Sequence, residues 1–312
     1  MTMQRVTIES FAASSSATAM ITWQAARRAR IEAALDRFLA TPSSAKEASR
    51  LWEAMRYATL SGGKRWRALL VYAAAELCGA DVVVANAPAA AVELLHAYSL
   101  VHDDLPCMDD DTVRRGQPAC HIAFGEAMAL LAGDALQTQA FLVLARSRMP
   151  DPAAACVLLA EAAGAYGMVG GQARDLSGEA VTMEALEAMH RRKTGALIEA
   201  AVMLGAACGA STGRMSNAAA RAALAHYAAA VGLAFQVADD VLDVEGSTPG
   251  LGKTAGKDAA QNKTTYVTLL GLQSAKDKMH TLCEEAQQAL ELFGTAAWPL
   301  KALAEQAVTR SR

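Results

Sequence analysis

Strand-forming sequence is nearly absent from this chain of 312 residues. Its one β-branched cluster, "DVVVA" at 81–85, is too short to pair with anything obvious, which argues against a sheet-based architecture. Charge of one dominant sign is absent too. The 29 Lys+Arg nearly offset the 32 Asp+Glu, leaving −3, so there is no electrostatic case for a nucleic-acid partner. The six cysteines (Cys78, Cys107, Cys120, Cys156, Cys208 and Cys283) include no C-x-x-C and no zinc-like pairing, and free thiols in a reducing cytoplasm are expected. Residues 1–22 hold one Arg, one Glu and a Ser/Ala-rich stretch without a sustained apolar run. A secretory signal is not evident there, and a flexible N-terminal segment is expected. Nothing resembles an interdomain linker or a repeat of about 20 to 50 residues.

What the chain does have is helix-forming sequence. Hydrophobic residues make up 53% and charged residues 20%, the composition of a globular domain. Ala-rich and Leu-rich segments at helical spacing predict helices over 23–40, 44–60, 64–78, 85–104, 120–148, 151–165, 168–175, 182–209, 215–244, 262–291 and 295–308. Gly62–Gly63, "PDP" at 150–152 and "GSTPGLGKTAGK" at 246–257 punctuate them. Segments 85–102, 194–210 and 222–238 are apolar around most of their circumference and belong at the centre of a large bundle. The last approaches membrane-span length, but it contains His226, Tyr227 and Gln236 and ends on two aspartates. It reads as a core helix, and no membrane partner is expected. The expectation is one all-α domain over 23–312.

Two acidic clusters interrupt this pattern. "HDDLPCMDDD" (102–111) follows the apolar "ELLHAYSLV", and "FQVADDVLD" (235–243) again runs an apolar helix into paired aspartates. Asp239 and Asp243 are four apart, on one helical face about 6 Å along the axis. Asp103 and Asp109 are six apart and out of phase on a regular helix. Pro106 disfavours helix at Leu105, so the chain can end there and fold Asp109 back toward Asp103. One such cluster reads as a solvated helix end. Two, built of hard carboxylates without His or Cys, favour Mg²⁺ shared with water and phosphates, hence a diphosphate clamped between two helices. Cations fit that idea. "SGGKRWR" (61–67) sets Lys64, Arg65 and Arg67 at a helix start, where backbone N–H groups and the helix dipole favour an anion. "RRG" (114–116), "HRRKTG" (190–195) and Lys253, Lys257 and Lys263 add further basic groups, each ordinary surface if taken singly.

Together, "GGKRWR", "ELLHAYSLVHDDLPCMDDDTVRRGQPACH", "GDAL" (133–136), "GGQARDL", "HRRKTGALI" and "FQVADDVLDVEG" resemble, in order, the motifs of trans-isoprenyl diphosphate synthases, most closely the bacterial-type farnesyl diphosphate synthases. The resemblance spans roughly residues 30 to 300. It implies a large single-domain helical bundle around a deep central cavity, usually a homodimer. It implies a prenyltransferase that joins isopentenyl diphosphate head to tail to allylic diphosphates (dimethylallyl, geranyl), giving farnesyl diphosphate. Three Mg²⁺ ions with bound diphosphate are implied, with Mn²⁺ as a substitute.

By motif, Asp103, Asp104, Asp109, Asp239, Asp240 and Asp243 would hold the metals, with Asp103, Asp109 and Asp239 foremost. Lys64, Arg67, His96 and Arg115 would grip isopentenyl diphosphate. Arg114, Lys193, Thr194, Gln236, Lys253 and Lys263 would meet the allylic partner, its diphosphate or the nascent cation. A histidine such as His96 on an apolar helix is usually a satisfied core residue. It lies seven before Asp103, two turns down the same face, and with the motif a ligand contact is expected.

In this family the product tail grows along the helix before the first aspartates. Tyr98, roughly 7–8 Å before Asp103 along the axis, with Ser99 and the Pro106–Cys107 insertion, resembles the farnesyl-forming pattern. Geranylgeranyl and geranyl diphosphate are the alternative products, and Tyr98 as mere packing is the plainer reading. Ala68 and Val267 stand where the family often has proline, which touches loop stiffness more than activity. Two rival readings remain: a class I terpene cyclase, and a non-catalytic helical partner subunit of a prenyltransferase.

Overall fold

The computed structural model describes residues 3–41, 46–210, 213, 217–245 and 263–309. Helices α1 (Met3–Phe38), α2 (Ser49–Leu60), α3 (Trp66–Leu77) and α4 (Asn86–Asp103) come first. A short hairpin, β1 (Val113–Arg114) with β2 (Gln117–Pro118), turns at Arg115 and Gly116. Then come α5 (Cys120–Phe124), α6 (Glu126–Ala145), α7 (Pro152–Ala163), α8 (Met168–Ser177) and α9 (Met183–His190). A π-helical turn, Arg191–Gly195, leads into α10 (Ala196–Cys208), followed by α11 (Ala218–Glu245). The described chain ends with α12 (Tyr266–Leu270), α13 (Leu272–Ala289) and α14 (Trp298–Thr309).

The all-α expectation holds, and its exceptions have local causes. "DVVVA" forms a turn ahead of α4, not a strand. The expected helices 120–148 and 262–291 are each broken at a glycine, Gly125 (φ 89°) and Gly271 (φ 82°), where a residue with a Cβ would be strained. α1 starts at Met3 rather than 23, because residues 3–22 contain neither Pro nor Gly to stop it.

The packing follows apolarity. α4 packs on α6, α10 on α3, and α11 on α13. In α4 every residue from Asn86 to Leu95 is buried, as a helix apolar all round requires. Each large side chain so enclosed contributes about 2 kcal/mol. Two of the fully buried tyrosines keep a polar partner: Tyr72 Oη donates to Asn86 Oδ1 at 2.9 Å, and Tyr227 Oη to the Leu300 carbonyl at 2.7 Å. α11 is a core helix, as its sequence implied, with Leu233, Ala234 and Val237 buried against α9, α12 and α13. α6, α11 and the stretch 152–177 have the length and apolarity of membrane spans, but α11 is the most enclosed of the three. On α5 to α8 an apolar flank stays exposed, including Ile122, Leu130, Leu131, Val157 and Tyr166.

Candidate active site

The first acidic cluster takes the bend its proline suggested. α4 stops at Asp103, and the Asp109 N–H donates to the Asp103 carbonyl at 2.8 Å, so the chain doubles back within six residues. The two adjacent aspartates then part. The Asp103 carboxylate lines a cavity of about 730 Å³ and accepts from Gln172 Nε2 at 3.1 Å. Burial, reinforced by Asp109 and Asp104 against the pull of Lys193 and Arg114, pushes its pKa up to about 6. Asp104 is buried behind the wall, where it accepts from Arg114 Nε at 3.0 Å and from its Nη2. Asp111 binds the same guanidinium at 3.3 Å. Neither Asp104 nor Arg114 lines the large cavity, contrary to the expectation that both face ligand.

The second cluster reaches the same cavity from α11. Asp239 and Asp240 line it, while Asp109 and Asp243 are beside these segments and not in the lining. Asp240 Oδ2 accepts the Tyr266 N–H at 2.7 Å, capping α12 and fixing the preceding residues that carry Lys263 to the cavity. Gln236 Nε2 donates to Asp239 Oδ2 at 3.3 Å. Its Oε1 in turn accepts from Thr194 Oγ1 at 2.7 Å and from His190 Nδ1 at 3.1 Å.

Thr194 and Lys193 belong to the π turn, which interrupts what reads in sequence as one helix over 182–209. Lys193 Nζ lies 2.6 Å from Asp175 Oδ2, and Lys263 Nζ 4.0 Å from the same oxygen. Burial alone would raise Asp175, but these two lysines hold its pKa below the usual carboxylate value. Tyr98, Leu130, Met168 and Val169 add apolar lining to the same cavity. Ser99 also lines it, its hydroxyl donating to the His96 carbonyl at 2.9 Å.

A second cavity, about 450 Å³, adjoins the first and shares Arg67, His96 and Phe235 with it. Lys64, Arg67, His96 and Arg115, grouped on sequence grounds, all line it. Arg115 reaches it because its guanidinium lies over Gly63 and donates to the Gly62 carbonyl. Burial first, then Arg67 and Arg115, holds His96 well below the ordinary imidazole pKa, so the ring is neutral. One element of the anion site differs from expectation. The Ala68 N–H at the start of α3 is taken by buried Glu93 Oε1 at 3.0 Å. Arg65, turned inward by its left-handed backbone (φ 51°), binds Glu32 at 2.6 Å, Glu93 at 3.5 Å and the Thr59 carbonyl at 2.7 Å. Side chains, not that helix amide, supply the positive charge. Lys253 and Lys257 lie outside the described residues.

A family model described as polyprenyl synthetase matches residues 48–293. The farnesyl diphosphate synthase of Escherichia coli K12 is 49% identical over 270 residues, covering 83% of this chain and 89% of that protein. The chain belongs to the polyprenyl synthetase family. Within the family its relatives make different products by name. A chloroplastic geranylgeranyl pyrophosphate synthase of Capsicum annuum is 47% identical over 83% of this chain and 71% of its own length. The apo crystal structure of an FPP/GFPP synthase from Zymomonas mobilis superposes with a TM-score of 0.82 at 37% identity, covering 94% of this chain and 100% of that one.

The donor set fits the magnesium that the resemblance implies. Asp103, Asp239 and Asp240 present hard oxygens to one cavity. Among the described residues no three His, Cys, Asp or Glu side chains form a closed metal cage. Polar lining residues that were not singled out from sequence include Gln172, Asp175 and His190. Gln172 and Asp175 lie three apart on α8, one helical face, and that spacing was the available signal.

Proposed function

We propose that this chain joins isopentenyl diphosphate head to tail to dimethylallyl and then geranyl diphosphate, and releases farnesyl diphosphate. One observation carries the reading: a cavity lined by Asp103, Asp239, Asp240 and apolar side chains adjoins a cation-lined cavity, the two sharing Arg67, His96 and Phe235. The allylic C–O bond breaks with its electron pair going to the diphosphate. The isopentenyl double bond then attacks the allylic carbon, and loss of a proton leaves the new double bond. Magnesium held by the aspartates would supply Lewis-acid stabilisation of the charge that develops on the departing diphosphate. Asp103, Asp109, Asp239, Asp240 and Asp243 would hold the metals, three with the diphosphate.

Lys193 and Lys263, released from Asp175, bind the allylic diphosphate, with Lys253. Thr194 and Gln236 face the nascent cation. Lys64, Arg67, Arg115 and neutral His96, as a hydrogen-bond donor, grip isopentenyl diphosphate. Asp104 and Arg114 act through each other, fixing the loop that carries Asp109. The apolar wall keeps water from quenching the cation, and Tyr98 with Ser99 limits the tail. The exposed apolar flank of α5 to α8 supports a homodimer. Six unbridged thiols support a cytoplasmic setting.

The test is purified chain with Mg²⁺, isopentenyl diphosphate and dimethylallyl diphosphate, the alcohols being sized after phosphatase treatment. Farnesol as the main product is expected. Geranylgeraniol would support the longer-chain reading, and no turnover would support a non-catalytic partner subunit.

A further inference from the structure

We propose that His102 is a second determinant of product length, a positioning residue seated against Gly133 that braces Tyr98 from behind. The inference rests on Tyr98 acting as the stop proposed above. Gly133 opens the "GDAL" motif on α6 and otherwise has no part in the site. His102 lies four after Tyr98, on the same face of α4. The two rings meet edge to face, centroids 5.5 Å apart at 84°. His102 Nε2–H donates to the Leu130 carbonyl at 3.0 Å, because a carbonyl can only accept. On its far side the imidazole lies so close to α6 that a Cβ on Gly133 would stand 2.0 Å from Nε2 and 2.4 Å from Cδ2. Three groups therefore pin the imidazole: a ring, a carbonyl and a bare Cα. Tyr98, His102 and Leu130 all line the large cavity, so the pinned imidazole fixes how far the Tyr98 ring can swing out of the path of a growing tail.

The experiment sizes products from wild type, Tyr98→Ala, His102→Ala and the double variant under the conditions above. His102→Ala raises the ratio of geranylgeranyl to farnesyl product about tenfold, the modest discrimination that a small change in an apolar pocket gives. The double variant matches Tyr98→Ala alone, because a brace with nothing to hold has no effect of its own. An unchanged ratio in His102→Ala alongside a longer product from Tyr98→Ala overturns the brace, as does an additive double variant. Gly133→Ala gives an independent arm if His102→Ala does not fold, since it unseats the imidazole from the other side. A wild-type product ratio there also overturns the brace. Wild type making no prenyl alcohol would instead defeat the prenyl-transfer reading, and the brace with it.

Discussion

Asp103 and Asp104 are neighbours in opposite circumstances. Asp103 faces a cavity, accepts a hydrogen bond from Gln172 and has a pKa raised to about 6, whereas Asp104 is enclosed with the Arg114 guanidinium. Their replacement should therefore separate activity from stability. Asp103→Asn keeps size and hydrogen bonding but removes a charge that burial disfavours, so kcat should fall about 100-fold or more while the melting temperature rises. Asp104→Ala leaves the Arg114 guanidinium, whose side chain is only 18% exposed, with Asp111 as its remaining carboxylate, so unfolding free energy should drop by about 2 kcal/mol, read by urea titration. Equal losses of activity at equal stability would contradict this division. The sequence could not make it, since "DD" presents two equivalent carboxylates. What splits them is Arg114, brought in by a hairpin that has no strand propensity to announce it. Arg65 was hidden in the same way, because only its positive φ turns it away from Lys64 and Arg67.

Among the elements, the π turn at Arg191–Gly195 does most to shape the site. π turns recur at functional sites because one extra residue per turn re-aims the side chains that follow. Here Thr194 meets Gln236, and Lys193 meets Asp175. α8 fits against this turn only because Gly171 lacks a side chain: a Cβ there would stand 2.2 Å from Lys193 N and 2.5 Å from Lys193 Cα. Gly171→Ala gains about 1 kcal/mol of helix propensity but must push backbone, which costs about 1–3 kcal/mol. The clash should win. We expect a lower melting temperature and a raised KM for the allylic substrate, with KM for isopentenyl diphosphate little changed. A stabilised variant with normal kinetics would refute it. Helix existence and apolar faces were legible because they follow from residue spacing alone, as α4 and α11 illustrate. The π turn was not, because "RRKTG" has ordinary helix composition and the extra residue is imposed by α8 and α11 packing around it.

At the scale of the whole molecule, enclosing two joined cavities means burying imidazoles that then cannot take up protons. His96 lies at the seam and is held well below its usual pKa by burial and by Arg67 and Arg115. His190, in the wall of the larger cavity, is lowered to about 4, mainly by burial, with Lys193 pressing the same way and Asp175 and the Gln236 bond resisting. In the unfolded chain a histidine titrates near about 6.5. Between that value and about 4 the unfolded chain binds a proton that folded His190 refuses, so the contribution present at neutral pH is lost on acidification. The loss reaches about 3 kcal/mol for His190 across that window. Asp103, raised to about 6, works in the opposite direction over much of the same range, so the protein's own stability curve is flattened and conceals the effect. A difference measurement isolates it. His190→Asn retains a donor for Gln236 but cannot titrate. Urea unfolding of wild type and variant should show the wild-type advantage shrinking by about 2 kcal/mol between pH 7.5 and pH 5. An advantage that stays constant across those two conditions would mean that His190 takes its proton in the folded protein as readily as in the open chain.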